Sequence, residues 1–122
     1  MITVTPERFD ELLDQALVAL PEWVTTRMDN VVVTSAAGPS GEQQRRVRPR
    51  GALLGLYEGV PLSHRGGGYH LTPPDRITLF RGALQWLAND EADLVRLIRQ
   101  TVVHEVGHHF GMSEDELRAA GV

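Results

Sequence analysis

One stretch near the end of the chain, His104-Glu105-Val106-Gly107-His108-His109-Phe110-Gly111-Met112-Ser113-Glu114, restricts the fold more than any other. His104 and His108 are four apart, and on an α-helix that spacing sets both imidazoles on one face, roughly 6 Å apart along the axis. Two neutral imidazoles so placed can hold one Zn²⁺. The carboxylate directly after the first, Glu105, then projects beside the metal, where it can take a proton from bound water and return it to a leaving amine. By chance alone a His-Glu-x-x-His arises in about one chain of this length in a few hundred. Gly111 stands three residues after His108, where a chain leaving a helix needs positive φ, and Glu114, three further on, can swing back with an oxygen ligand.

The helix bearing this stretch is predicted from about Glu91 to about Phe110, capped by Asn89-Asp90. At ~100° per residue, Leu94, Val95, Ile98, Val102, Val103, Val106 and Phe110 cover about half its circumference. His104 and His108 fall outside that arc with Leu97 and Thr101, where a pair can look into a cleft. His109 falls inside it, between Ile98 and Val102, and is assigned to packing or to hydrogen bonding behind the site. Ser113 and Glu116 form a capping box for a last short helix ending at Gly121. Glu114, Asp115 and Glu116 share its first turn, where the helix dipole favours acidic residues with or without a metal. Spacing selects Glu114 over Asp115 as third ligand.

Upstream, Thr5-Pro6 opens a helix whose apolar residues Phe9, Leu12, Leu13, Ala16, Leu17 and Leu20 share one face, and Pro21 ends it. Asn30 to Thr34, with three valines in a row, reads as a buried strand. Ser35 to Arg50 reads as a loop, and its cluster Arg45, Arg46, Arg48 and Arg50 as solvated, since no aromatic side chains interleave to stack on bases. Ala52 to Tyr57 is a second strand. Ser63 to His70 is a glycine-rich turn without the strand-to-helix context of a phosphate loop, and His64 and His70 read as surface histidines. Arg76 to Phe80 alternates polar and apolar residues as a half-exposed strand does. The preceding Pro73-Pro74 assigns it to a sheet edge, where unpaired backbone groups can bind an extended peptide. Gly82 to Ala88 reads as a short helical connector with Trp86 in or near the core.

With no cysteine, any metal must sit on histidine and carboxylate. At 122 residues the chain is read as one domain, 1–122. The formal charge of −4 argues against a nucleic-acid partner bound by blanket neutralisation of phosphates. Residues 1–7 lack a basic leader with an apolar core, and no apolar run approaches the ~18 residues of a membrane span. The expectation is a soluble cytoplasmic protein without a membrane partner.

With His104 to Leu117 in hand, the chain resembles the small bacterial zincin-like metallopeptidase family. The likeness extends through Leu20-Pro21, Asp29-Asn30-Val31, Leu54-Gly55-Leu56-Tyr57-Glu58-Gly59 and Pro74 to Phe80. It implies an α+β, minimal zincin-like fold: a small mixed β-sheet with an N-terminal helix, an active-site helix beneath the sheet and a short C-terminal helix. Carried across position by position, His104 and His108 would be zinc ligands, Glu105 the general base and Glu114 the third ligand, where the family commonly has aspartate. The function implied is zinc-dependent hydrolysis of a peptide or protein substrate. The alternative is a catalytically inactive zincin-fold interaction or regulatory protein, motivated by the few residues left after Glu114 to build a far cleft wall. A residue polarising the scissile carbonyl would come from Tyr57, His64, Tyr69 or His70. Two histidines and one carboxylate also suit iron(II).

Overall fold

The computed structural model describes residues 1–46, 53–59 and 73–120. Thr5 accepts a hydrogen bond from the Arg8 N–H and Pro6 begins the first turn, so helix α1 runs Pro6–Val18 and buries Phe9, Leu12, Leu13 and Ala16. Pro21, expected only to stop a helix, also starts one: it is the N-cap of a short helix α2, Glu22–Thr26. A proline there forfeits no helical hydrogen bond, because the first N–H groups of a helix have no partner within it.

Three strands follow, β1 (Val31–Ala36), β2 (Gly55–Glu58) and β3 (Asp75–Phe80). Their order is β1-β3-β2, with β1 parallel and β2 antiparallel to β3. This is the small mixed sheet that was expected, with two strands exchanged in role. The strand at Arg76–Phe80 is central, and its alternation misleads because Thr78, opposite Thr34 on one side and Leu56 on the other, is buried like its apolar neighbours. The two prolines lie just before the strand, whose ladder begins where the Asp75 N–H reaches the Asn30 carbonyl, so no ladder donor is lost. Conversely, the valine run expected to be buried lies on an edge strand, where Val32 is 44% exposed. Ala52, placed at the start of the second strand, lies outside the described residues.

Helix α3, Gly41–Arg46, stands where the sequence reads as loop. Ser40 and Gln43 cap it reciprocally, through Ser40 N–H to Gln43 Oε1 and Gln43 N–H to Ser40 Oγ. Arg46 pairs with Glu42 one turn back and with Glu58 on β2. None of its residues is buried, so no apolar periodicity announces it. Helix α4, Arg81–Leu87, gives the core Leu84 with Ala88 beyond its end; Trp86 points outward, 67% exposed, contrary to expectation.

Helix α5, Glu91–His109, is capped by Asp90, whose side chain accepts from the Asp93 N–H. It packs against α1, α2, α4, β2 and β3, and against the last helix, α6 (Glu114–Ala119). Leu94, Ile98, Val102, Val103 and Val106 are fully buried along it. At ~1.5–3 kcal/mol for each such side chain, this face fixes the helix rigidly enough to aim the polar residues on its border. Phe110, counted in the apolar arc, lies past the helix end and is 49% exposed. Gly121 lies outside the described residues. Among the described residues no helix is long and apolar enough to cross a membrane.

Candidate metal centre

The end of α5 is shaped by two glycines. Gly111 has φ +87°. Around it the Gly111 N–H bonds the His108 carbonyl at 3.0 Å and the Met112 N–H bonds the Gly107 carbonyl at 2.8 Å, the paired closure of a helix that ends in a left-handed residue. The chain then reverses into α6, where Ser113 accepts from the Glu116 N–H and the Glu116 side chain bonds the Ser113 N–H. Gly107 lets α6 close onto α5, because Leu117 occupies the space a side chain would need.

That reversal brings Glu114 back over the histidines. Glu114 Oε1 is 2.8 Å from His108 Nε2, and Oε2 is 3.4 Å from His104 Nδ1. The two imidazole centroids are 6.0 Å apart with their planes at 80°. One donor atom from each of His104, His108 and Glu114 lies within 4.8 Å of the other two. The expected trio therefore comes together; Asp115 is not in the cluster. Nε2 of His104 is buried and has no hydrogen-bond partner. Such an orphaned buried atom costs ~1–3 kcal/mol, which an electron-accepting partner at that nitrogen would remove.

Glu105 sits half-buried between α5 and β2. Burial pushes its carboxyl above the ordinary value, opposed more weakly by the nearby His108 and the Tyr57 backbone. A cavity of about 330 Å³ opens on this face. Leu53, Leu54 and Gly55 wall it on the strand side; Gln100 and Thr101 on the helix lead to His104, Glu105 and His108.

One expected role changes. The hydroxyl of Tyr57 donates to Asp75 Oδ2 at 2.7 Å and its ring stacks on His109, so it does not stand as a carbonyl-polarising group beside the trio. His109, assigned to packing or to hydrogen bonding behind the site, is exposed and packs at the surface, its ring 3.9 Å from that of Tyr57 and edge-on to Phe110. His64, Tyr69 and His70, the other candidates for polarising a carbonyl, lie outside the described residues, as do Arg48 and Arg50.

Gly55 and Gly107 were missed as determinants of the site. A Cβ on Gly55 would come 2.8 Å from Thr101 Cγ2, so the strand rides against the helix only because that residue has no side chain. For Gly107 the signal was available, since a glycine inside a helix costs ~1 kcal/mol and usually marks a close packing contact.

A family model described as zincin-like metallopeptidase matches residues 28–122. Among solved structures, a conserved hypothetical protein from T. thermophilus is similar, with 22% identity and a TM-score of 0.53 over 96% of this chain and 98% of that one. At that identity the likeness concerns the fold. A search of curated proteins finds no match.

Proposed function

Since the chain belongs to the zincin-like metallopeptidase family, we propose that it hydrolyses peptide bonds in a zinc-dependent reaction, with His104, His108 and Glu114 as ligands and Glu105 as general base. The observation that carries this reading is the convergence of the three donor atoms, all within 4.8 Å, beside a cavity that also contains Glu105. The unpartnered Nε2 of His104 is the kind of atom a metal would satisfy. When bound, zinc supplies a Lewis acid that polarises a carbonyl and lowers the pKa of coordinated water toward ~7.

The remaining work falls to the chain's own groups. Glu105 takes the proton of the attacking water and returns it to the departing amine. Its carboxyl, raised by burial, is shifted in the direction that lets one group both accept and release a proton near neutral pH. The peptide would lie along β2, the edge strand on this side of the sheet. The Leu54 carbonyl accepts from the Phe80 N–H, so Leu54 and Leu56 turn their backbone groups toward β3 and Gly55 turns its own away, toward an added strand. The cavity walls Leu53 and Leu54 favour an apolar substrate side chain.

The test is Glu105→Gln assayed on a mixed peptide library. Zinc should stay bound while cleavage falls by about 10²–10⁴, the usual contribution of a general base. Undiminished cleavage with zinc in place would remove Glu105 from the mechanism.

A further inference from the structure

The cavity beside the trio does not stop at the histidines. On α5 it runs back one turn, past Thr101 to Gln100, while Leu53 and Leu54 close it from the strand side. Gln100 and His104 are four residues apart, so they share a face of the helix with roughly 6 Å between them along the axis. The Thr101 hydroxyl donates to the Leu97 carbonyl at 2.8 Å, and its methyl lies against Gly55. Gln100 stands exposed at the rim, and its carboxamide has no hydrogen-bond partner among the described residues. Apart from His104, Glu105 and His108, it is the one side chain of the described lining with both donors and an acceptor to offer.

We infer that Gln100 sets the substrate preference of this cavity, which takes a long side chain with an apolar stem and a neutral hydrogen-bonding tip, glutamine being the closest fit. The inference rests on the peptide lying along β2, as proposed above for the hydrolytic site. Side chains of an extended peptide alternate between the two faces of the sheet it joins. Gly55 and Tyr57 face Thr101 and His109 on α5, so every second residue of an added strand points at that helix. Where such a residue meets the cavity, its stem packs on Leu53 and Leu54 and its tip arrives one helical turn from the trio, at Gln100. Side chains on a helix lean toward its N-terminus, so the Gln100 amide reaches away from the histidines and cannot polarise a carbonyl attacked there. Its NH₂ and carbonyl can instead pair with a second carboxamide through two parallel hydrogen bonds. A charged tip of either sign is disfavoured. With Zn²⁺ bound, the dication would be balanced by the carboxylates of Glu105 and Glu114, and the described lining holds no further acidic or basic side chain beyond the histidines. A charge entering there would lose hydration without gaining a partner.

The experiment uses alanine-based hexapeptides carrying one Gln, Leu, Lys or Glu at each position in turn. They are titrated into Glu105→Gln protein in zinc-containing buffer, which should leave them intact, and into the same protein with Gln100→Leu or Gln100→Glu added. Because all three proteins carry Glu105→Gln, its altered charge cancels between them. Binding is read as Kd and as the shift of the Gln100 side-chain NH₂ resonance. The best glutamine peptide should bind ~10-fold tighter than its leucine counterpart, as one hydrogen bond at a partly open site allows, and should move that resonance. Gln100→Leu should reverse the order of those two, and Gln100→Glu should raise lysine over glutamine by ~10-fold. The same reversals should appear in kcat/KM of the Gln100 variants alone, with zinc content as in wild type. An order of preference that neither substitution changes, or the failure of every peptide to bind, would overturn the inference. Peptides that bind in the expected order and are never cut by the wild-type protein would end the hydrolytic reading and leave the Gln100 subsite standing.

Discussion

Leu117 on α6 lies against Gly107 on α5 so closely that a Cβ on the glycine would come 2.5 Å from Leu117 Cδ2 and 3.3 Å from its Cγ. Leu117 is fully buried, so moving its Cδ2 aside would disturb the packing around it. This contact sets the distance between the two helices, and through it the reach of Glu114 to His104 and His108. Gly107→Ala should cost ~1–3 kcal/mol of stability by overpacking. It should also weaken zinc binding, because α6 must move outward and carry Glu114 with it. Urea denaturation and zinc titration of the variant check both halves, and wild-type zinc affinity would show that Glu114 does not depend on this contact.

Gly111 offers a separate test of the same reversal. Its φ of +87° is strained for any side chain, although nothing lies within 4 Å of where a Cβ would point. Gly111→Ala should therefore cost about 1–2 kcal/mol through backbone strain alone. Gly38 is equally open and has no such φ, so Gly38→Ala should be close to neutral. Thermal denaturation of the two variants separates conformation from crowding; equal effects would contradict it.

The parts legible in the sequence were those with a strong local signature. The Thr5-Pro6 opening of α1, the Ser113-Glu116 capping box and the histidine pair one turn apart are each fixed by a few neighbouring residues, and all three are found. Glu114 was reachable because Gly111 announces the turn that returns it. What local pattern could not supply was strand neighbourhood. Arg76 to Phe80 has the alternation of an edge strand, yet it pairs on both sides, a fact that depends on Val31–Ala36 and Gly55–Glu58 far away in sequence. Helix α3 escaped for the opposite reason, being held by polar side chains from Ser40, Gln43 and Glu58 with no buried face to leave a period. Phe110 fits the helical wheel, but the wheel presumes a helix that Gly111 has already brought to a close.

The start of α5 gives a pH dependence whose sign is fixed. The Asn89 N–H and then the Arg96 guanidinium hold the Asp93 carboxyl below its ordinary value. A carboxylate depressed in the folded state adds stability that is fully present above its unfolded pKa, ~3.9, and is lost as pH falls through the lower folded value. Asp93→Asn should therefore destabilise the protein at pH 7, and the gap to wild type should close as pH falls below about 4. Urea midpoints at several pH values measure it, and a gap independent of pH would mean that charge plays no part.

Everything proposed about hydrolysis requires His104, His108 and Glu114 to grip one ion together. The direct measurement is the zinc content of the purified protein beside that of His104→Ala after the same dialysis against metal-free buffer. Wild type should retain one zinc per chain and the variant none. A variant that keeps a full equivalent, or a wild type that takes up none when offered zinc, would contradict the shared site.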